Sequence, residues 1–289
     1  MVLSKNSYTR VTLALDIVRK LETGPYAGYH ELGTVKHQID LCDTVRVEES
    51  HADVLECDDP LVPCDDRNVC LKVLRLVQQR MQVDRHVRIT LGKRIPVMAG
   101  LAGGSANAAA VLTLLNELWE LRLSIPQCID LGRSAGMDVP YYFHGGTAFD
   151  SEAGQRLEPV VTDCSFAFVL ACPDFGVSTT KAYSGIDYAV AGQNQQLTTQ
   201  LRKALEAGDR NKVFGCMHND FELSVFPCFP RCSSIKKELL GAGCSAAHLT
   251  GSGSTVIGIA RDLAHAKAIG RKISCKTIIA STVTCGSTA

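Results

Sequence analysis

Residues 96–106 read Pro-Val-Met-Ala-Gly-Leu-Ala-Gly-Gly-Ser-Ala. From Ser105 onward the sequence turns helical, with apolar residues at one-face spacing: Ala108, Val111, Leu112, Leu115, Leu118 and Trp119. We therefore predict a glycine-rich loop that runs straight into a helix, with Ser105 as the N-cap. The first N–H groups of a helix lack intrahelical partners, and the helix dipole adds positive potential, so such a junction binds anions. The candidate phosphate-binding residues are Gly100, Leu101, Ala102, Gly103, Gly104, Ser105 and Ala106.

Two familiar phosphate loops do not match this stretch. A Walker loop ends in Gly-Lys-Ser or Gly-Lys-Thr, whereas Ser105 follows Gly104 directly, and a dinucleotide loop needs Gly-x-Gly-x-x-Gly. A structural alternative is that the glycines only allow close helix packing, with Ser105 as an ordinary cap. A second glycine turn, Gly251-Ser252-Gly253, is either a further binding element or a plain hairpin turn.

Hydrophobic periodicity outlines the remaining elements. Strands are predicted over 7–17, 35–47, 87–91, 147–149, 166–171, 247–250 and 255–260. Helices are predicted over 69–81, from 105 onward, and over 127–135, 178–183, 196–206 and 233–240. Because a residue before proline avoids the helical region, we expect an extended exit at residues 136–140. Rising polarity near 151–158 predicts two domains, 1–155 and 156–289.

Composition narrows the class of protein. The 289 residues include 30 Lys plus Arg and 30 Asp plus Glu, so no net field attracts nucleic acid or an anionic membrane. Thirteen cysteines occur without any Cys-x-x-Cys pair, which argues against a zinc cluster and for reduced thiols in the cytoplasm. Two charge-poor stretches, 95–116 and 242–260, are interpreted as glycine loops beside buried elements rather than membrane spans.

The two glycine-rich segments together resemble those of the GHMP kinases. The ATP loop of that superfamily has the form Pro-x-x-x-Gly-Leu-Gly-Gly-Gly-Ser-Ser, and its late Gly-Ser-Gly turn is similar to residues 251–253. The resemblance implies an α+β chain with the two-domain GHMP kinase fold. Its N-terminal domain would resemble domain 2 of ribosomal protein S5, and its C-terminal domain would be a ferredoxin-like α/β domain.

Further motifs narrow the resemblance within the superfamily. They are residues 28–32 (Gly-Tyr-His-Glu-Leu), 39–43 (Ile-Asp-Leu-Cys-Asp), Asn68, 136–142 (Gly-Met-Asp-Val-Pro-Tyr-Tyr), 145–148, 176–179 and Tyr183. They resemble the branch that phosphorylates a cytidine diphosphate-linked methylerythritol in non-mevalonate isoprenoid biosynthesis. The resemblance implies an alcohol-acceptor phosphotransferase that moves the ATP γ-phosphoryl group to the 2-hydroxyl. Magnesium would arrive with ATP, and no protein metal site is expected.

The same resemblance implies roles for single residues. Asp138 matches the catalytic aspartate that contacts substrate, although a turn aspartate bonding its own backbone is the structural alternative. Tyr29 and Tyr183 match the rings that hold the cytosine, and His30 matches the residue that hydrogen-bonds its edge.

The nucleotide side of the site is implied in the same way. Asn68 and Val69 match positions that line the adenine pocket, and Lys93 lies where a basic residue contacts the nucleotide. Lys93 and Arg94 could equally form a solvated strand edge.

The first strand departs from the family pattern. Residues 9–13 read Thr-Arg-Val-Thr-Leu where the family usually has Ala-Lys-Ile-Asn-Leu. Arg10 keeps the catalytic positive charge, but a guanidinium is bulkier than an ammonium, so the replacement is not conservative. Thr12, at a substrate-contacting position, has a shorter reach than asparagine. Ala102 and Ala106 are milder departures because small residues still allow close phosphate approach.

Three functional hypotheses stay open at this point. The chain is the kinase just described, a GHMP kinase for another small alcohol such as mevalonate or homoserine, or a catalytically altered or silent nucleotide-binding protein. Its partners would be ATP and a small-molecule substrate, with no nucleic acid and no membrane. We expect a monomer or a weak dimer.

Overall fold

A computed structural model describes residues 1–24, 26–154 and 156–283. The strands are β1 (Val2–Lys20), β2 (His30–Ser50), β3 (Val54–Cys57), β4 (His86–Gly92), β5 (Thr147–Ser151), β6 (Arg156–Pro159), β7 (Ala167–Cys172), β8 (His218–Asn219), β9 (Ala246–Leu249), β10 (Val256–Ala260) and β11 (Lys276–Ser281). The helices are α1 (Val69–Met81), α2 (Gly103–Leu118), α3 (Ile125–Ala135), α4 (Tyr141–His144), α5 (Thr179–Ser184), α6 (Gln195–Glu206), α7 (Arg210–Cys216), α8 (Glu222–Cys228), α9 (Pro230–Gly241) and α10 (Leu263–Gly270).

Contacts divide the chain into two compact units, and each unit is discontinuous in sequence. The first unit comprises residues 1–9, 41–97 and 102–145, and the second comprises residues 10–40, 98–101 and the chain from 146 onward. The boundaries fall within β1 and β2, so both long strands contribute residues to each unit. The predicted family domains, 1–155 and 156–289, stay a prediction, and Gln155 lies outside the described residues.

The core of the first unit lies between helices α1, α2 and α3 and strands of a seven-stranded sheet, among them β2, β3 and β4. Strand β4 pairs antiparallel with the end of β2 and parallel with β3. The stripe of α1 (Cys70, Leu71, Val73, Leu74, Val77) and most of α2 are buried against this sheet in one cluster. Helix α2 is apolar nearly all round, which is typical of a helix enclosed by other elements.

The second unit contains a four-stranded antiparallel sheet in the order β11-β7-β10-β9. Strand β7 is buried along its whole length, and β10 is as well. In the same unit, β5 pairs with the beginning of β2, and β8 pairs parallel with β1 at Ala14↔His218. The tight turn 250–255 joins β9 to β10, as the sequence predicts, and Thr250 N–H donates to Thr255 O at 3.0 Å.

A buried histidine on β2 gives this unit a defined pH dependence. His37 is 1% exposed, and its two ring nitrogens lie 2.8 Å from the hydroxyls of Thr147 and Thr282. Burial lowers the pKa of His37 to about 4. In the unfolded chain this histidine titrates near its ordinary value of 6.5. Between these values the unfolded state therefore binds more protons than the folded state.

We predict that the free energy of unfolding falls as the pH is lowered from about 6.5 to about 4. His37 alone accounts for about 3 kcal/mol of this loss. Chemical denaturation at several pH values, on wild type and His37→Gln, measures the difference. The variant loses stability at pH 7 because its hydroxyl partners are disturbed, but its pH profile is flatter in this window. Identical profiles for the two proteins contradict the prediction.

Candidate active site

The helix of the glycine loop begins earlier than the sequence predicts. Helix α2 starts at Gly103, and its N-cap is Ala102, in the left-handed region with φ 53° and ψ 31°. The Ser105 N-cap prediction is therefore wrong, and Ser105 lies inside the first turn, where its N–H donates to Ala102 O at 3.1 Å. The left-handed residue turns the chain into the helix before Ser105 is reached. Within the described chain, the N–H groups of Gly103 and Gly104 donate to no protein group.

Gly103 and Gly104 face different surroundings. A Cβ on Gly103 would lie 2.8 Å from the Ile95 Cγ2 atom and 3.4 Å from the Lys93 Nζ atom, so this glycine is needed for packing. A Cβ on Gly104 would meet no atom within 4 Å, and Gly104 is exposed. Gly104 thus presents open main chain at the positive end of the helix, where a phosphate group binds most readily.

Lys93 lies at the start of α2, and it is not a solvated strand edge. Only 6% of its side chain is exposed, and its ammonium pairs with the fully buried carboxylate of Asp43. The other oxygen of Asp43 accepts the N–H groups of Arg94 at 2.7 Å and Ile95 at 2.8 Å. One carboxylate therefore holds both the cation and the chain that leads into the glycine loop.

The amide of Asn68 caps α1. Its Oδ1 atom accepts the Cys70 N–H at 2.9 Å, and its Nδ2 atom donates to Pro63 O at 2.8 Å. Asn68 is buried, and Val69 is the first residue of the helix. Their predicted contact with adenine stays a prediction.

Asp138 lies in the turn between α3 and α4. The next residue, Val139, is fully buried and packs against Gly132, where an added Cβ would lie 2.8 Å from the valine Cγ1 atom. The turn is half-buried at Asp138 and continues into the helix α4. The expected extended exit is confirmed only at Gly136, whose backbone is extended (φ −177°, ψ 141°). It is wrong for residues 137–140, which form a turn, and Pro140 adopts helical angles (φ −53°, ψ −36°) and caps α4.

The turn that carries Asp138 is hydrogen-bonded to the glycine loop. Tyr142, on α4, donates its hydroxyl to Ala102 O at 3.2 Å, and its N–H donates to Val139 O at 3.2 Å. The first unit thus brings the candidate catalytic turn and the start of α2 together. Tyr142 was part of a recognised motif, but the sequence assigned it no role.

In the second unit, the two glycine turns lie against each other. Gly100 has φ 74°, and a Cβ there would lie 2.1 Å from Thr250 O and 2.8 Å from Gly253 N. Gly251 has φ 53°, and its Cβ would lie 2.6 Å from Gly100 O. The close approach of these two main chains explains why glycine occupies both turns. The Gly251-Ser252-Gly253 turn is therefore more than a plain hairpin turn.

The side chain of Asn219 supports the second turn. Its Nδ2 atom donates to Leu249 O at 2.7 Å and to Gly251 O at 2.9 Å. The sequence analysis missed Asn219, because nothing in the local pattern of β8 distinguishes it from a surface amide.

The departures from the family pattern in β1 contact each other and the first glycine turn. Arg10 is 6% exposed, and its Nη1 atom donates to Thr12 Oγ1 at 3.0 Å and to Gly100 O at 3.1 Å. Thr12 N–H donates to Thr250 Oγ1 at 2.9 Å. Arg10 belongs to the second unit and Asp138 to the first, and their predicted pairing stays a prediction.

The aromatic residues predicted to hold a cytosine form a different cluster from the one expected. His30 stacks on Tyr183 with ring centroids 3.8 Å apart and planes within 7°, and the ring of Tyr188 is parallel to His30 at 6.1 Å. Tyr29 is 50% exposed and meets Tyr26 edge to face at 6.1 Å. The sequence analysis missed Tyr188, for which the only signal is an aromatic residue in a polar segment.

The protonation of His30 follows from its surroundings. Burial, with the charge of Lys20 adding to it, lowers the pKa of His30 below its ordinary value. The ring is therefore neutral near pH 7, with one nitrogen that donates and one that accepts. A neutral imidazole of this kind can pair with a polar base edge.

The described residues contain neither a metal-binding cluster nor a membrane-spanning helix. No group of three or more His, Cys, Asp or Glu side chains in this part of the chain is placed to hold a metal ion. None of the described helices is long and apolar enough to cross a membrane.

The family models match both halves of the chain. Residues 68–146 match the GHMP kinases N terminal domain, and residues 201–279 match the GHMP kinases C terminal domain. The chain thus belongs to the GHMP kinases, and the predicted two-domain α+β fold class is confirmed.

Similar proteins narrow the class further. The chain is 38% identical to the 4-diphosphocytidyl-2-C-methyl-D-erythritol kinase of Gloeobacter violaceus, with 83% of this chain and 81% of the relative covered. It is 34% identical to the enzyme of the same name from Thermoanaerobacter pseudethanolicus, with 89% and 87% covered. The chain belongs to the 4-diphosphocytidyl-2-C-methyl-D-erythritol kinase family, which confirms the predicted resemblance and the phosphotransferase class.

Solved structures agree with this assignment. A crystal structure of 4-(cytidine 5'-diphospho)-2C-methyl-D-erythritol kinase superposes with a TM-score of 0.77 at 25% identity, covering 98% of this chain and 100% of that one. The Leishmania major mevalonate kinase bound to R-mevalonate superposes with a TM-score of 0.74 at 17% identity, covering 97% and 95%. At that identity the second likeness concerns the fold alone.

Proposed function

We propose that this chain transfers the γ-phosphoryl group of ATP to the 2-hydroxyl of 4-diphosphocytidyl-2-C-methyl-D-erythritol. The observation that carries the proposal is the start of α2, where Gly103 and Gly104 offer N–H groups and Gly104 faces open space. Main-chain donors at a helix N-terminus hold phosphate oxygens without side-chain rearrangement. Lys93, whose ammonium lies beside Gly103 and is paired with Asp43, helps to fix this turn in place.

The reaction requires a group that accepts or orients the acceptor proton. We assign this role to Asp138, because its turn is bonded through Tyr142 to the start of α2. Arg10 supplies positive charge that stabilises the developing phosphate charge, and its bond to Gly100 O keeps the guanidinium at the loop. Most of the barrier reduction in phosphoryl transfer comes from such alignment and charge neutralisation.

The departures in β1 are compatible with an active enzyme. Thr12 Oγ1 accepts a hydrogen bond from the Arg10 guanidinium. The two residues that depart from the family pattern therefore form one hydrogen-bonded pair and are not independent changes. This contact favours a kinase with a rebuilt first strand over a silent nucleotide-binding protein.

The cytidine end of the substrate is assigned to the aromatic cluster. Tyr29, His30 and Tyr183 would hold the base, with stacking worth on the order of 1–3 kcal/mol per base. One face of Tyr183 is covered by His30 in this structure, so a base that stacks on that face takes the place of the His30 ring, and Tyr29 offers a second, exposed ring. An acceptor without a base, such as mevalonate, would leave these rings without a ligand.

Magnesium is assigned to the ATP phosphates. Mg²⁺ that entered with ATP would neutralise phosphate charge, and the Ser105 hydroxyl in the first turn of α2 would help to hold it. Oxygen donors of this kind fit the preference of Mg²⁺, which usually binds through substrate phosphates, water and one or two protein oxygens. An ion that enters with ATP therefore needs no cluster of three protein ligands.

We further propose a cytoplasmic monomer or weak dimer. Cysteines from both units, among them Cys70, Cys172 and Cys244, are free thiols in this structure, which suits a reducing compartment. Among these, burial raises the pKa of Cys70 to about 12, so this thiol stays protonated and unreactive.

We predict that the purified chain releases ADP with 4-diphosphocytidyl-2-C-methyl-D-erythritol and not with mevalonate or homoserine. Calorimetric titration with CDP gives saturable binding, and UDP binds at least about tenfold more weakly because its base edge has a different donor pattern. Tyr183→Leu weakens CDP binding by about tenfold, since the stacking face is lost. Turnover with mevalonate but not with the cytidine substrate contradicts the assignment.

A matched variant separates stacking from general destabilisation. Phe214 lies in the same unit and meets Phe166 edge to face at 6.1 Å, so Phe214→Leu also removes one ring of an aromatic pair. We expect Phe214→Leu to leave CDP affinity unchanged. An equal loss in both variants means that Tyr183 acts through folding rather than through the base.

A further inference from the structure

The hydroxyl of Tyr142 occupies an unusual position in the first unit. Its acceptor, Ala102 O, belongs to a residue that carries a side chain and yet adopts a left-handed backbone, at φ 53° and ψ 31°. A left-handed conformation is unfavourable for a residue with a Cβ atom, whereas glycine adopts it freely. The GHMP pattern has glycine at this position, and this chain has alanine.

Ala102 also determines how α2 begins. Its carbonyl accepts the N–H groups of Ser105 and Ala106, both at 3.1 Å, in addition to the Tyr142 hydroxyl at 3.2 Å. The Ala102 side chain itself makes no capping hydrogen bond. The direction of the Ala102 carbonyl therefore sets the first turn of α2 and with it the N–H groups of Gly103 and Gly104.

The other end of the same short segment carries Asp138. Tyr142 N–H donates to Val139 O at 3.2 Å, and Val139 is fully buried beside Gly132. Tyr142 is partly buried and packs on the core of the unit, so its ring has a fixed place. Residues 139–142 and the Tyr142 hydrogen bond therefore connect Asp138 to the phosphate-binding turn.

We propose that Tyr142 is a positioning residue whose hydroxyl holds the strained Ala102 carbonyl and so keeps the phosphate-binding turn aligned with Asp138. The inference rests on the proposed kinase reaction. Tyr142 takes no part in the chemistry itself and acts through Ala102. Because alignment matters in the transition state more than in ATP binding, the hydroxyl should affect kcat more than KM.

The test removes the hydroxyl alone. We expect Tyr142→Phe to lower kcat by about tenfold, as loss of one hydrogen bond in an aligned site predicts, with KM for ATP changed less than about threefold. In the Ala102→Gly background the same substitution lowers kcat by less than about threefold, because glycine keeps the left-handed backbone without help. Equal losses in the two backgrounds, or a loss confined to KM, overturn the proposal.

Amide hydrogen exchange provides a readout that does not depend on turnover. The N–H groups of Ser105 and Ala106 share the Ala102 carbonyl with Tyr142, so their exchange should rise by about tenfold in Tyr142→Phe. Unchanged exchange overturns the proposal even if the wild type shows no kinase activity. An inactive wild type with faster exchange in the variant counts against the proposed function and supports the positioning role.

A control on the same helix keeps the comparison matched. Thr113 donates its hydroxyl to Ala109 O at 2.9 Å, in the middle of α2 and away from its first turn. Thr113→Val removes a hydroxyl-to-carbonyl bond of the same kind. Thr113→Val should leave kcat and the amide exchange of Ser105 and Ala106 unchanged. If it lowers kcat as much as Tyr142→Phe does, any loosening of α2 lowers kcat and the specific role of Tyr142 is wrong.

Discussion

Asp138→Asn is expected to lower kcat by a factor on the order of 10² to 10⁴. The amide has almost the same shape as the carboxylate but cannot accept the acceptor proton. Because Val139 anchors the turn in the core, the substitution should leave the fold intact. Binding of ATP and CDP should change by less than about threefold, since neither requires a proton acceptor. Steady-state kinetics and calorimetric titration measure the two effects separately.

Asp130 offers a matched control in the same unit. It lies on α3, its side chain is 68% exposed, and it pairs with Arg80 at 2.7 Å. Asp130→Asn removes the same charge from a surface ion pair, which contributes little to stability, so kcat should be unchanged. If Asp138→Asn turns over like the wild type, Asp138 is a turn residue and the assigned role is wrong.

Gly100→Ala is expected to abolish measurable turnover and to reduce the free energy of unfolding by about 3 kcal/mol or more. The new Cβ would lie 2.1 Å from Thr250 O and 2.8 Å from Gly253 N, and main-chain atoms cannot move away as a flexible side chain can. The positive φ of 74° adds strain of its own. The Gly100 carbonyl would also lose its bond from Arg10. Denaturant titration and ADP-release assays measure both losses.

Gly104→Ala separates packing from ligand binding in the same loop. A Cβ at this position meets nothing within 4 Å, so the free energy of unfolding should stay within about 1 kcal/mol of wild type. The methyl group would project where the triphosphate approaches, and KM for ATP should rise by on the order of tenfold to a hundredfold. Two results would contradict the assignment of Gly104 to the side of the loop that faces the triphosphate. One is equal destabilisation by Gly100→Ala and Gly104→Ala, and the other is an unchanged KM for ATP in Gly104→Ala.

Local periodicity predicted several elements well. Helix α1 begins at Val69 and ends at Met81, as its apolar spacing indicates, and β4 extends the predicted strand by one residue at each end. These segments have one buried face each, so the pattern of apolar residues carries most of the information. Short elements such as β3, α4 and β8 were missed, because two to four residues show no measurable period.

The start of α2 shows where a local rule fails. Serine is a common N-cap, yet the helix begins before Ser105 because Ala102 takes a left-handed backbone that its own preference disfavours. The contacts that hold Ala102 come from Tyr142, far along the chain. Local rules are also insufficient for the first strand. The surroundings of Arg10 and Thr12 are set by their hydrogen bonds to Gly100 and Thr250, which lie far away in the sequence.

The order of motifs along the chain was sufficient to predict a GHMP kinase and to propose candidate residues for its site, because glycine and aspartate patterns reflect main-chain geometry that few other residues allow. Tertiary contacts alone established that the two glycine turns touch, that Lys93 is buried against Asp43, and that His30 covers Tyr183. These facts depend on distances between residues remote in sequence. A one-dimensional pattern contains residue types and spacings, whereas hydrogen bonds, burial and ring stacking are set by how the folded chain closes on itself.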